Sequence, residues 1–396
     1  MSVKPFLTML VIVFLTDTVM FTTNSSSTVV LLDKVTIIGI AIYSLCVLFR
    51  QRVVEYRGFL SIFCIVCSYV TMFVNSDSFS PYGLQTCITI ISLIVAYSYS
   101  IEDFAFRYLC IIRIIAVVSL VTFIFGKVIV GIKFLPRIVS ITGIQYVSLF
   151  FSNVCTVSLN RNFGPFWEPG AYQLYLLLAL VFRYFVLNDD RKLIFDTMIF
   201  SIALITTFST TGILGLLVFF LYVLIRKHNF GLGINLGLFV IVISGCLYIL
   251  LDDYAYQLIF GKLSQGLQRA SVQSRYYSLV GCLKVFLQHP IFGAGEKTGE
   301  IISGMFGLKV SMTGTIFINF AEYGFCYGII KLGLLIGFCK DISKDIVDFI
   351  FCFTIIFIAL FGENFTISLV GSSVILLRKQ CKENGVPVKN SDYNIG

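Results

Sequence analysis

The stretch "YLCIIRIIAVVSLVTFIFG", Tyr108 to Gly126, holds one charge in nineteen residues. Coiled as a helix at ~1.5 Å per residue, a run of this length reaches across most of the ~30 Å hydrocarbon core of a bilayer. The rest of the chain has the same character. Of 396 residues, 58% are hydrophobic and 13% charged, with a mean hydropathy of +0.94, whereas soluble chains run near half apolar and a quarter charged. The spacing of apolar runs predicts about twelve transmembrane helices, at 6–21, 35–49, 59–75, 83–100, 108–126, 168–187, 193–208, 210–225, 232–251, 313–338, 346–361 and 366–378. The expected fold is an all-α polytopic membrane protein with two enlarged outer loops. Residues 1–378 form one polytopic domain and 379–396 a short cytoplasmic tail. The first run lacks a small-residue cleavage pattern, so it reads as retained. Internal repeats and low-complexity tracts are not evident in the sequence.

Cysteine and histidine usage narrows the chemistry. The twelve cysteines are scattered and mostly lie within apolar runs. Cys64 and Cys67 form a CxxC only by spacing, and read as small buried hydrophobes. With only His228 and His289 in the chain, a histidine-based metal centre is not expected. "GLGINLG", Gly231 to Gly237, lacks dinucleotide-binding spacing and reads as a loop entering a helix.

Lysine and arginine set the orientation. With the N-terminus inside, the short inner loops receive the basic clusters. The short outer loops "TTNSSSTVV", "NSDSFSPYG", "STTG" and "GENFT" contain no lysine or arginine. Both termini are therefore expected in the cytoplasm, and Arg113, Arg183 and Lys331, nearer the inner ends, are expected to snorkel. The long outer loops, 127–167 and 252–312, break the pattern with ten basic residues against four acids. A basic lid suits an anionic partner; contact with anionic lipid headgroups is the plainer alternative.

From the end of the first long loop into the next span runs "RNFGPFWEPGAYQ", Arg161 to Gln173. Glu168-Pro169 falls where an outer-to-inner helix begins, and proline at the first helical position presets φ without losing a needed hydrogen bond. The free amides and dipole there favour an anion. Gly164-Pro165 makes a turn able to bring Arg161 over the helix end, and Trp167 suits the interface. A carboxylate at the helix start, an aromatic anchor and a snorkelling arginine would give the same residues. The second loop carries "RASVQSRYYSLVGCLKVFLQHPIFGAGEKTG", Arg269 to Gly299. Its apolar positions predict an amphipathic helix at the membrane surface, ended by Pro290 and a tight turn at Gly293 and Gly295.

These segments, in order, resemble the O-antigen polymerase and ligase family. The resemblance rests on Arg161-x-x-Gly164-x-x-x-Glu168-Pro169-Gly170, "FSTTGILGLL" at 208–217, Arg275 followed by "HPIFGAG", and "NFAEYGFCYG" at 319–328. It covers roughly residues 160–370 and implies a GT-C-like polymerase/ligase architecture in a bacterial inner membrane. Two departures stand out. Many family members carry Ser-Arg where this chain has Ser209-Thr210-Thr211, and ligases typically show His-Asn where it reads Thr313-Gly314. The missing histidine favours a polymerase over a ligase.

The resemblance implies a membrane glycosyltransferase that moves a growing glycan from one undecaprenyl pyrophosphate carrier onto the terminal sugar of a lipid-linked repeat unit. The product would be an O-antigen, capsule or exopolysaccharide. Charge left on the pyrophosphate calls for fixed cations, and arginine supplies a two-pronged donor for phosphate oxygens. Arg161 and Arg275 are the chief candidates, with Arg269 as a third. Glu168 is the candidate base or orienting group for the acceptor hydroxyl, and His289 is the fallback base. Trp167 and Glu322 are candidates to line the substrate path, Glu322 because an intramembrane carboxylate usually faces a cavity or partner. No cofactor or metal is expected. Expected partners are lipid-linked oligosaccharide, membrane lipids and a chain-length regulator protein, with no nucleic acid. A lipid-linked oligosaccharide flippase is the alternative from a different class, although such transporters tend to show internal repeats and midplane charge.

Overall fold

The computed structural model describes residues 3–20, 24–51, 56–141, 143–187, 192–226, 270–308 and 310–379. The chain enters through α1 (Val3–Phe14), α2 (Ser27–Gln51), α3 (Tyr56–Asn75), α4 (Phe79–Ser98), α5 (Ile101–Ile124) and the short α6 (Gly126–Gly131). After three strands follow α7 (Pro169–Val181), continued by a π-helical turn to Val186, then α8 (Leu193–Thr206) and α9 (Thr210–Arg226). The last described stretch holds α10 (Ala270–Gln288), α11 (Thr298–Phe306), α12 (Thr315–Ile342), α13 (Ile346–Phe361) and α14 (Leu369–Leu376). Local chemistry marks several starts. Ser100 accepts from the Asp103 amide at 3.1 Å, and Asp345 accepts from the Val347 and Asp348 amides, each at 3.0 Å. Both satisfy amides that have no partner within their own helix.

Among the described residues, five helices are long and apolar enough to cross a membrane: Ser27–Phe49, Tyr56–Asn75, Phe79–Ser98, Ile101–Ile124 and Pro169–Val186. Shorter apolar helices occupy Leu193–Thr206, Thr210–Arg226 and Ile346–Phe361. The protein is thus a helical membrane-embedded chain, and twelve full crossings are more than these helices supply. The apolar runs 6–21 and 366–378 form helices of 12 and 8 residues, or ~18 and ~12 Å, well short of the hydrocarbon core. Polar groups inside both runs turn the chain. Asp17 accepts hydrogen bonds from Thr16, Ser368 and the Tyr175 hydroxyl, and the Leu369 amide donates to Thr16 at 2.9 Å. Run 232–251, the "GLGINLG" segment, residues 252–269 and most of the tail lie outside the described residues.

The all-α expectation is corrected in loop 127–167, which folds into an antiparallel sheet of order β1-β2-β3 (Arg137–Val139, Gln145–Ser148, Asn153–Cys155). Tyr146 pairs with both Ile138 and Cys155, and its ring packs on Phe163 at 6.0 Å. Gly143, at φ 82°, serves the turn between the first two strands. Strands this short carry too few alternations to stand out from a loop.

Every residue of α7 is buried, with α5, α8, α9 and α13 packed around it. Phe166 stacks on Tyr175 at 4.1 Å, and the Tyr108 hydroxyl donates to the Tyr175 carbonyl at 3.0 Å. α2, by contrast, shows Leu31, Leu32, Ile42 and Tyr43 on its outer face. The two ends of the bundle differ in chemistry. At one end, around the finish of α7 and the start of α8, Arg113 grips Asp196 with two bonds of 2.7 and 2.9 Å, and Arg183 joins at 3.3 Å. Arg57 pairs with Asp341 at 2.7 Å, and Arg226 pairs with Asp345 and Asp348. Arg113 and Arg183 therefore do not snorkel but share a buried carboxylate. Lys331 lies over the Tyr327 ring at 5.6 Å. The opposite end, where α7 and α9 begin, holds the candidate site.

Candidate active site at the head of the buried helix

The approach to α7 is fixed before any charged group is placed. Asn162 is 3% exposed; its side-chain amide donates to Ser119 at 3.1 Å and Thr206 at 3.0 Å, and its oxygen accepts from the Gly164 amide at 3.0 Å. Asn153 of β3 donates to the Pro165 carbonyl at 2.7 Å. Gly164 adopts φ 54° with the Tyr172 ring against its α-carbon, so the expected Gly164-Pro165 turn is present. Pro169 occupies the first position of α7 and Glu168 the capping position, with extended backbone. The Glu168 carboxylate does not cap the helix. It is exposed, while its carbonyl accepts from the Ala171 and Tyr172 amides at 3.1 and 3.2 Å.

Arg161 returns over this end of the bundle, as the turn implied. Its guanidinium donates to the carbonyls of Thr207 at 3.1 Å and Phe208 at 3.4 Å, groups at the α8 terminus that lack helical partners. Phe208 has φ 49°, so the arginine also braces a turn with left-handed backbone. The next residues are "STTG". Arg275 of α10 reaches this turn from a different part of the chain, donating to the Thr210 hydroxyl at 3.2 Å. A second guanidinium nitrogen lies 4.0 Å from the Glu363 carboxylate.

Glu363 was not among the residues singled out from the sequence. It follows α13 in "GENFT" and is 8% exposed. The Thr315 hydroxyl donates to its carbonyl at 3.0 Å and accepts from the Phe365 amide at 2.9 Å. Its carboxylate lies against Gly170, where any side chain would overlap it. The Glu168 side chain is within hydrogen-bonding reach of the Glu363 carboxyl. Burial, and after it the Glu168 charge, push the Glu363 carboxyl above the usual carboxylate range, while Arg275 and Arg161 pull it down. Burial lowers the Arg161 guanidinium from its ordinary value, Glu168 opposes this, and Arg275 adds to it. Two arginines and two carboxyls from three segments thus converge at the head of α7.

The other candidates lie apart or beside. Trp167 borders the cluster, its ring 6.2 Å from Phe365 and its carbonyl accepting from Tyr146 at 2.9 Å. His289 is exposed at the far end of α10, fourteen residues or about 21 Å along the helix from Arg275. It does not join Arg161, Arg275 and Glu168. Glu322 also lies elsewhere, its backbone against Gly293. Both belong to a clasp around a break in α12 at Gly324, with φ 79° and ψ −173°. There "HPIFGAG" supplies the groups that a broken helix lacks. The Ala294 amide donates to the Ala321 carbonyl at 2.9 Å, and the Phe325 amide to the Pro290 carbonyl at 2.8 Å. Gly293 and Gly324 approach the facing backbone too closely for a side chain.

α10 buries one face, Cys282 and Val285 packing with Ile302, Ile318 and Ala321, and leaves Leu283 and Leu287 exposed on the other. Thr313 exchanges two 2.9 Å bonds with Ser278 of α10. Arg269 lies outside the described residues. Among the described residues no group of three or more His, Cys, Asp or Glu could hold a metal. Comparison with protein-family models finds no match, and comparison with curated proteins finds none.

Proposed function

We propose that the chain is a polysaccharide polymerase, a membrane glycosyltransferase acting at the outer face of a bacterial inner membrane. It transfers a growing glycan from an undecaprenyl pyrophosphate carrier onto a lipid-linked repeat unit. What supports the reading above all is Arg275 standing at the Thr210 hydroxyl, 4.0 Å from Glu363, with Arg161 close by. Two guanidinium groups beside two carboxyls suit the departure of a pyrophosphate and the deprotonation of a sugar hydroxyl at one place. The acceptor oxygen attacks the anomeric carbon. The bond from that carbon to the pyrophosphate oxygen breaks, and the electron pair leaves with the pyrophosphate toward the arginines.

Thr313, tied to Ser278, has no ring nitrogen to offer, which favours polymerase over ligase within the same family. A strain lacking the protein tests the reading. Expected are single repeat units on their final acceptor, no ladder of longer chains, and carrier-linked units in the outer leaflet. Long chains left on the carrier would indicate a ligase. Units retained in the inner leaflet would indicate a flippase.

A further inference from the structure

We propose that Glu363 is the group that receives the acceptor hydroxyl's proton, working as a pair with Glu168; the proposal rests on the polymerase reading above. Three observations single it out. The first is its fixed position. Thr315 holds the backbone on both sides of it, and the preceding Gly362 has Thr211 and Gln173 so close that a side chain there would be tight against both. The second is the clearance made for its carboxylate by Gly170, at the second position of α7. The third is its company: Glu168 in front, Arg275 from α10 and Arg161 from the loop before α7. Glu168, exposed and without a capping bond, has no comparable anchorage.

Two carboxyls this close share one proton, because both cannot ionise cheaply side by side. Burial and Glu168 together favour the protonated form of Glu363. The pair therefore carries one negative charge at rest. In the transfer, the shared proton shifts onto Glu168, the acceptor oxygen forms its bond to the anomeric carbon, and the hydroxyl's proton passes to Glu363. The pair becomes neutral, the pyrophosphate leaves with the bonding electrons, and the proton is then released to water. The dissociating proton and the departing anion are handled by different groups, so removing the carboxyl should leave carrier binding in place.

The test uses the full-length protein in nanodiscs with a lipid-pyrophosphate-linked repeat unit. Glu363→Gln keeps the shape and a hydrogen bond to Glu168. It is expected to elongate chains ~10²- to 10⁴-fold more slowly, to bind the carrier with unchanged affinity, and to lose the pH dependence that the pair imposes. If wild type elongates and Glu363→Gln matches it, Glu363 has no such role and the polymerase reading stands. Loss of carrier binding together with turnover would make Glu363 a support for the arginines and overturn the proposal. If wild type makes no product, the polymerase reading fails and this proposal with it. Infrared spectroscopy of the resting wild-type protein gives a readout independent of variant folding. A protonated-carboxyl band that shifts in Glu168→Gln is expected, and its absence in wild type overturns the shared proton.

Discussion

Arg161 and Arg275 carry the same charge but are held differently, and the difference decides how each responds to lysine. Arg161 spends two donors on the Thr207 and Phe208 carbonyls, so Arg161→Lys removes a brace as well as a charge and should lower protein stability along with turnover. Arg275 makes one hydroxyl bond and one long ion pair, and Arg275→Lys keeps the charge without the fork. We expect it to accumulate normally and to lose about a hundred- to a thousand-fold in polymerisation rate, measured on chain ladders at matched membrane levels. Wild-type ladders would remove Arg275 from the leaving-group site. The Glu363 carboxyl responds with two opposite signs. Glu168→Gln removes a neighbour that raises its titration point, which should fall. Arg275→Gln removes one that lowers it, so the point should rise. Titration of the carboxyl band by infrared spectroscopy measures both shifts. Arg161, Glu168 and Arg275 were legible in the sequence because charges are conspicuous in an apolar chain. Glu363 was not, since a carboxylate in a five-residue outer loop has nothing local to distinguish it from a solvated one.

Glycine matters at the element scale where two elements must touch. Gly170 sits in the first turn of α7 with the Glu363 carboxylate in the space of its missing side chain. Alanine favours a helix interior over glycine by roughly 0.5–1 kcal/mol. Even so, Gly170→Ala should displace the carboxylate and abolish polymerisation in a protein that still inserts; full activity would mean Glu363 is free to stand elsewhere. Gly324 has backbone angles almost confined to glycine. Gly324→Ala should cost ~1–3 kcal/mol in strain alone, and more where the side chain meets the Ile291 carbonyl, read as a lower unfolding temperature in detergent. The long apolar helices were legible from length and composition. The two short ones were misjudged because Thr16-Asp17 and Ser368 look like minor interruptions until they bond each other. The clasp was visible only as a turn, because its partner at Gly324 is more than thirty residues away.

Across the whole molecule, charge is sorted by end. Ion pairs lock the finish of α7, α9 and α12, while the arginine–carboxyl cluster occupies the opposite end, taking one arginine from each enlarged loop. This predicts that the two loops share one side of the membrane. Single cysteines at exposed Val157 and Leu308, in a cysteine-free variant, should both react with an impermeant maleimide on intact cells. If one reacts only after lysis, Arg161 and Arg275 cannot meet as described. No local pattern indicated that Arg275 would reach the turn at Thr210. The central claim, glycan transfer between lipid-linked units at the head of α7, is tested most directly by reconstitution. Purified protein in liposomes is given one lipid-pyrophosphate-linked repeat unit as sole substrate, and the products are resolved by length. The account requires chains longer than one unit from wild type and almost none from Arg275→Lys; single units alone, or equal chains from both proteins, would contradict it.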